Sequence, residues 1–199
     1  NHAIQCGENC AVELLEAAAL AARFPWISTD GVTLASHGTV NEGWFDGPAL
    51  MQGFRRKARE LGATYIVDEV MELTPNAVTL RSGQRIEAGT VVLAAGPWSG
   101  QVAATAGIAL PVEPRRRSVF VVDVREPPGA LSPSSAPLTI DPSGVWFRPE
   151  GRFYLAGTTP AAGSDLAGAP LEVQHQEWDE TVWPALAARA LAFEAAKVV

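Results

Sequence analysis

The stretch Thr90–Gly100, TVVLAAGPWSG, decides how this chain is read. Val91 to Ala95 is apolar without alternation, the pattern of a strand covered on both faces, as in a parallel sheet. The strand then ends in Ala94-Ala95-Gly96, followed by Pro97 and Trp98, and not in a polar turn. Two readings fit. Either the backbone here must come close to something flat, or small residues fill a crowded sheet core beside a tight turn.

Upstream, Asp46 stands at the cap position of a helix ending at Leu61, with Pro48 in its first turn and Gly62 as its stop. Leu50, Phe54, Ala58 and Leu61 form one stripe, and Arg55, Arg56, Lys57 and Glu60 the wet face. Short strands are expected at Thr64–Val67, Val70–Leu73, Ala77–Leu80 and Gln84–Glu87. Nearer the start, helical spacing predicts a helix over Asn9–Ala22, capped by Asn9, then a strand at Val32–Ala35. Downstream, Ser118–Val124 reads as a long strand. Leu138–Ile140, Gly144–Phe147 and Arg152–Ala156 read as antiparallel strands joined by DPSG and PEG turns. Pro/Gly-rich loops are expected at Pro127–Pro137 and Pro160–Pro170. A helix follows from Glu172 to Trp183, interrupted by Pro184.

The bulk numbers narrow the class. The 199 residues are 47% apolar and 19% charged, a globular composition, and a net charge of −7 argues against nucleic acid and anionic membranes as partners. No apolar run of about 18 residues appears, so no membrane span is expected. The absence of a leader and the two cysteines, Cys6 and Cys10, point to a reduced, cytoplasmic setting with both thiols packed in a core. Two thiols and His2 are too few for a metal site.

Four stretches carry a resemblance: GWFDGPALMQGFRRKARELGA (43–63), GQRIEAGTVVLAAGPWSGQVAATAGIALPVEPRRR (83–117), LTIDPSGVWFRPEGRFYLAG (138–157), and RFPWIS (23–28) with WPALAAR (183–189). Together they resemble the FAD-dependent oxidoreductases of the D-amino acid oxidase, glycine oxidase and sarcosine oxidase type. The resemblance implies an α/β to α+β fold. A substrate domain with a mixed, largely antiparallel sheet and helices is joined to part of a FAD-binding doubly wound layer. Residues 1–45 and 112–199 would belong to the substrate domain and 46–111 to the partial FAD-binding domain. The family's opening Gly-x-Gly-x-x-Gly, which holds the FAD pyrophosphate, has no counterpart here, nor does its closing flavin-side segment. The chain therefore resembles the middle of a longer enzyme.

By the same resemblance, Ala94, Ala95, Gly96 and Trp98 lie beside the dinucleotide, Val70 meets adenine, and Arg116 matches the family's Pro-x-Arg arginine. Trp146 and Arg148 should share one strand face and Phe147 the other. A guanidinium there suits an amino-acid carboxylate, while the bland reading is a solvated arginine beside Pro149. Tyr154 is a further substrate-side candidate and Thr158 a weaker one. His37 and His175 are set aside as non-catalytic, and no catalytic side chain is assigned. The flavin carries the oxidation of a C–N bond in a small amine or amino acid, so no strong side-chain base is needed. A non-catalytic binding or assembly module of flavoprotein-like fold stays open as an alternative. A disulfide-reductase-like flavoprotein ranks last, since it needs a second glycine fingerprint. Pairing into a homo-oligomer is also open.

The missing fingerprint leads to a first prediction. Isothermal titration of this chain with FAD should show weak binding or none, and sub-micromolar affinity would refute that expectation.

Overall fold

A computed structural model describes residues 1–126, 136–160 and 172–199, together with Gly163 and Gly168. The loops expected at Pro127–Pro137 and Pro160–Pro170 lie for the most part outside the described residues. The chain forms two compact units, one built from Asn1–Trp44, Arg117–Pro160 and Glu172–Val199, the other containing Phe45–Arg116. Helices accompany antiparallel sheets in a mixed α/β arrangement.

The first unit begins with α1 (His2–Gly7), β1 (Val12–Glu16), α2 (Ala17–Arg23) and β2 (Leu34–Gly38). The helix expected over Asn9–Ala22 is thus half strand. Asn9 takes a left-handed φ of 60°, and Val12–Glu16 pairs antiparallel with Leu34–Gly38, from Val12 opposite Gly38 to Glu16 opposite Leu34. A ladder partner overrides the local periodicity, and only AAALAAR, rich in the best helix formers, stays helical. Cys6 and Cys10 are free and exposed, so their expected core packing is not what the structure shows.

The main sheet of this unit contains β6 (Val119–Asp123), β7 (Thr139–Ile140), β8 (Trp146–Glu150), β9 (Phe153–Gly157) and β10 (Lys197–Val198), in the order β10-β6-β9-β8-β7. One face carries the core. Phe120, Val122, Phe147, Tyr154 and Ala156 pack against Trp178, Val182, Leu186 and Phe193. The rings of Phe147 and Phe193 meet edge-on with centroids 4.9 Å apart, and those of Tyr154 and Phe193 at 5.5 Å.

The helix behind this face runs through Pro184 without a break. It comprises α5 (His175–Glu177), a π turn (Trp178–Val182) and α6 (Trp183–Arg189). The widened turn places Pro184 in the first turn of α6, where a missing amide proton costs little. Arg189, in the last turn of α6, then ties three segments together. Its Nε donates to Asp141 Oδ2 at 2.5 Å, and its Nη1 donates to the carbonyls of Ser28 and Asp30. The Ser28 amide returns a bond to the Arg189 carbonyl at 2.7 Å.

The second unit holds α3 (Gly47–Glu60), β3 (Val70–Thr74), β4 (Ala77–Leu80), β5 (Arg85–Glu87), a 3₁₀ turn (Gly96–Trp98) and α4 (Ser99–Thr105). The Asp46 carboxylate caps α3 by accepting from the Ala49 amide at 2.8 Å, and Gly62 takes a φ of 94° just past its end. On the charged face, Arg55 lies over the Tyr65 ring, 4.0 Å from its centroid. β3, β4 and β5 form an antiparallel meander in that order. Thr64–Val67 and Val91–Ala95, both expected as strands, have no ladder partner among the described residues. A strand exists only by pairing, and apolar sequence alone cannot supply the partner.

The Arg189–Asp141 pair generates a stability prediction. The two side chains are only 12% and 10% exposed. Burial pushes the Asp141 carboxyl up, but hydrogen bonds from Ser143 and from Arg189 outweigh it and hold the group below its ordinary value. Arg189→Met leaves a buried carboxylate without its partner and should cost about 3–5 kcal/mol in chemical denaturation, much of it recovered in Arg189→Met/Asp141→Leu. Because the folded-state carboxyl is depressed, its contribution is present above the ordinary carboxylate range and lost as pH falls through the folded value. The double variant should lack that part of the acid dependence.

Candidate functional site

The exposure of β8 alternates residue by residue. Phe147 and Pro149 are buried on the core side, while Trp146, Arg148 and Glu150 are half-buried on the other. Antiparallel register places Trp146 opposite Gly157, Arg148 opposite Leu155 and Glu150 opposite Phe153. A Cβ on Gly157 would stand 2.8 Å from the Ser118 carbonyl and 3.0 Å from the Trp146 ring, so glycine is what lets the indole lie against the strand.

Arg148 is held from three directions. Its Nη1 donates to the Pro149 carbonyl at 2.9 Å and to Glu150 Oε2 at 2.5 Å. The face of the guanidinium lies over the Trp44 ring, 4.6 Å from its centroid. Its Nε and Nη2 donate to nothing among the described residues. One fork edge of a largely covered guanidinium, 19% exposed, therefore stays open. Such an edge matches the two oxygens of a carboxylate.

Tyr154 does not join this group. It is 1% exposed and sits on the core face with Phe147 and Phe193, because its position in β9 has the opposite parity to Leu155. Thr158, also buried, follows the end of β9. Trp44 and Glu150 are functional candidates that sequence reasoning passed over. Glu150, two residues beyond Arg148 on one strand, was findable from the period of two. Trp44 comes from a distant loop and left no local signal.

The stretch Thr90–Gly100 lies in the second unit. Val91, Leu93 and Ala95 are half-buried, whereas Val92, Ala94, Gly96, Pro97 and Trp98 are exposed, Val92 at 83% and Trp98 at 59%. Gly96 has a φ of 54°, which explains its identity as a turn residue, and a Cβ there would meet nothing within 4 Å. The crowded glycine is Gly100, where a Cβ would fall 2.1 Å from the Val112 carbonyl. At Gly96, then, internal crowding does not demand the absence of a side chain. Ala94 and Gly96 are exposed with little side chain over the backbone. Val70 is half-buried at the start of β3, opposite Leu80, with a register shift before Glu72. Arg116 is half-buried between the more exposed Arg115 and Arg117.

His37 Nδ1 lies 2.8 Å from Glu13 Oε1, its register partner across β1–β2, and its ring meets Phe24 edge-on at 5.2 Å. His175 is exposed on α5. His2 Nε2 lies 3.1 Å from the Val12 carbonyl and 3.4 Å from Cys6 Sγ. Among the described residues no group of three or more His, Cys, Asp or Glu could hold a metal ion, and no helix is long and apolar enough to cross a membrane.

One unit thus carries a half-buried sheet face with Arg148, and the other carries an exposed turn at Ala94–Gly96. L-proline dehydrogenase from P. horikoshii shares the fold at a TM-score of 0.78 and 19% identity, over 100% of this chain and 53% of that one. Glycine oxidase from Geobacillus kaustophilus does so at 0.78 and 19%, over 99% and 51%. The family model DAO, FAD dependent oxidoreductase, matches residues 3–195, and the chain belongs to that family. FAD-dependent oxidoreductase domain-containing protein 1 of Bos taurus is 36% identical over 100% of this chain and 47% of its own length. The Xenopus laevis protein of the same description is 37% identical over 98% and 45%. The chain spans about half the length of the curated relatives it matches.

The placement of Tyr154 is testable. Burial pushes its phenol up to about 12. In Tyr65→Phe, which leaves Tyr154 as the sole tyrosine, ultraviolet titration should show phenolate forming near pH 12. Since the folded value is raised, stability should be full below about pH 10 and decline from there toward pH 12.

Proposed function

We propose that this chain supplies the substrate-binding sheet and part of the cofactor layer of a FAD-dependent oxidoreductase that oxidises a C–N bond of an amino acid or secondary amine. Membership of the family supports the cofactor and the reaction class. The observation that carries the finer reading is the open Nε–Nη2 edge of Arg148 on the same strand face as Trp146.

Each residue has a definite task in this reading. Arg148 receives the substrate carboxylate on its free edge, and two N–H groups in a fixed plane set the orientation of the molecule as well as its affinity. Trp146 offers an apolar wall to the rest of the substrate and keeps water from it. Ala94, Ala95, Gly96 and Trp98 would line FAD, with Val70 and Arg116 as further contacts. FAD, when bound, supplies the two-electron oxidation of the C–N bond. Tyr154, buried on the core face, is given no part in binding in this reading.

The test uses an FAD-loaded, full-length protein that contains this chain, with flavin absorbance followed under anaerobic conditions. An amino acid that is a substrate reduces the flavin. Arg148→Met should lower kcat/KM for it by about 30-fold or more, mainly through KM, as expected for loss of a charge-assisted pair, and should leave amines without a carboxylate unaffected. Failure of every carboxylate-bearing amine to reduce the bound flavin would refute the reading in favour of a non-catalytic module.

A further inference from the structure

We infer that Glu150 is a specificity-determining residue that limits the substrate to molecules with a single carboxylate. The inference rests on the Arg148 reading above and adds to it the charge of the molecule admitted.

Glu150 Oε2 lies 2.5 Å from Arg148 Nη1, so the guanidinium reaches an incoming ligand already paired with one carboxylate. The pair is neutral as a unit. Docking one substrate carboxylate on the Nε–Nη2 edge leaves the cluster with a single negative charge, which a charge-assisted fork accommodates. A second carboxylate on the same small molecule adds another negative charge within a few ångströms of Glu150, on a face where part of the water is already excluded. Nearby cations offer little relief. Arg152, over the Phe153 ring at 4.2 Å from its centroid, is exposed at the hairpin tip beyond Glu150, where solvent screens its charge. Lys197 lies on β10, at the far edge of the sheet from β8.

Trp44 makes the discrimination sharp. With the indole on one face of the guanidinium and the Pro149 carbonyl and Glu150 on Nη1, Arg148 cannot swing to offer a second edge without giving up those contacts. The site therefore has one fork and one fixed negative neighbour.

The probes are N-methylglycine and iminodiacetate, secondary amines that carry one and two carboxylates. The readout is the Arg148 Nε–H resonance in ¹H–¹⁵N spectra of the protein, assigned by its loss in Arg148→Met. In the native chain N-methylglycine should shift and saturate this resonance, and iminodiacetate should bind at least about tenfold more weakly. Glu150→Gln keeps the size and the hydrogen-bond acceptor, and it should remove most of that preference. Equal affinity for the two probes in the native chain, or an unchanged preference in Glu150→Gln, overturns the role of Glu150. If N-methylglycine leaves the Arg148 resonance unmoved, or binds undiminished to Arg148→Met, the Arg148 reading itself falls and this inference with it.

Discussion

The aromatic packing beneath the main sheet fixes everything on its other side. Phe147, Tyr154 and Phe193 lock edge-on, and with them the register of Trp146–Glu150 against Phe153–Gly157. Side chains in a strand alternate, so a slip by one residue would send Arg148 into the core and Phe147 into solvent. No such slip is tolerable when one face holds fully buried rings. The outward side chains are thus placed by residues that never touch a ligand. The same logic explains the tyrosine, whose phenol is inward for the reason that the arginine is outward.

Two different kinds of information were present in the sequence. Local chemistry was readable. Asp46, Pro48 and Gly62 mark the third helix from end to end, because a cap, a first-turn proline and a left-handed stop act through neighbours in the chain. The hairpin of β8 and β9 was readable from alternation around PEG, and Ala77–Leu80 from its flanking turns. Pairing was not readable. Val12–Glu16 has helical spacing and becomes a strand because residues 34–38 offer a partner. Val91–Ala95 has strand character and no partner among the described residues. The helix through Pro184 depends on a π turn that no propensity encodes.

The candidate site divides along the same line. Trp146 and Arg148 followed from a period of two, and Glu150 obeys that period as well. Trp44 reaches the guanidinium from the far side of the sequence, so only the folded chain reveals it. At Ala94–Gly96, sequence reasoning weighed a crowded turn against a close approach. The structure separates the two among its glycines: Gly100 is the crowded one and Gly96 is open.

The Ser28–Arg189 bond spans a sequence separation of 161. A ribosome releases the two ends of that bond at very different times. Asn1–Trp44 must wait for the strands after Arg117 and for the helix over His175–Arg189 before its own unit can be completed. Phe45–Arg116 has most of its partners close at hand and is able to organise earlier. In a nascent chain Phe45–Arg116 can thus be organised while the unit that contains Asn1–Trp44 still waits for its later segments.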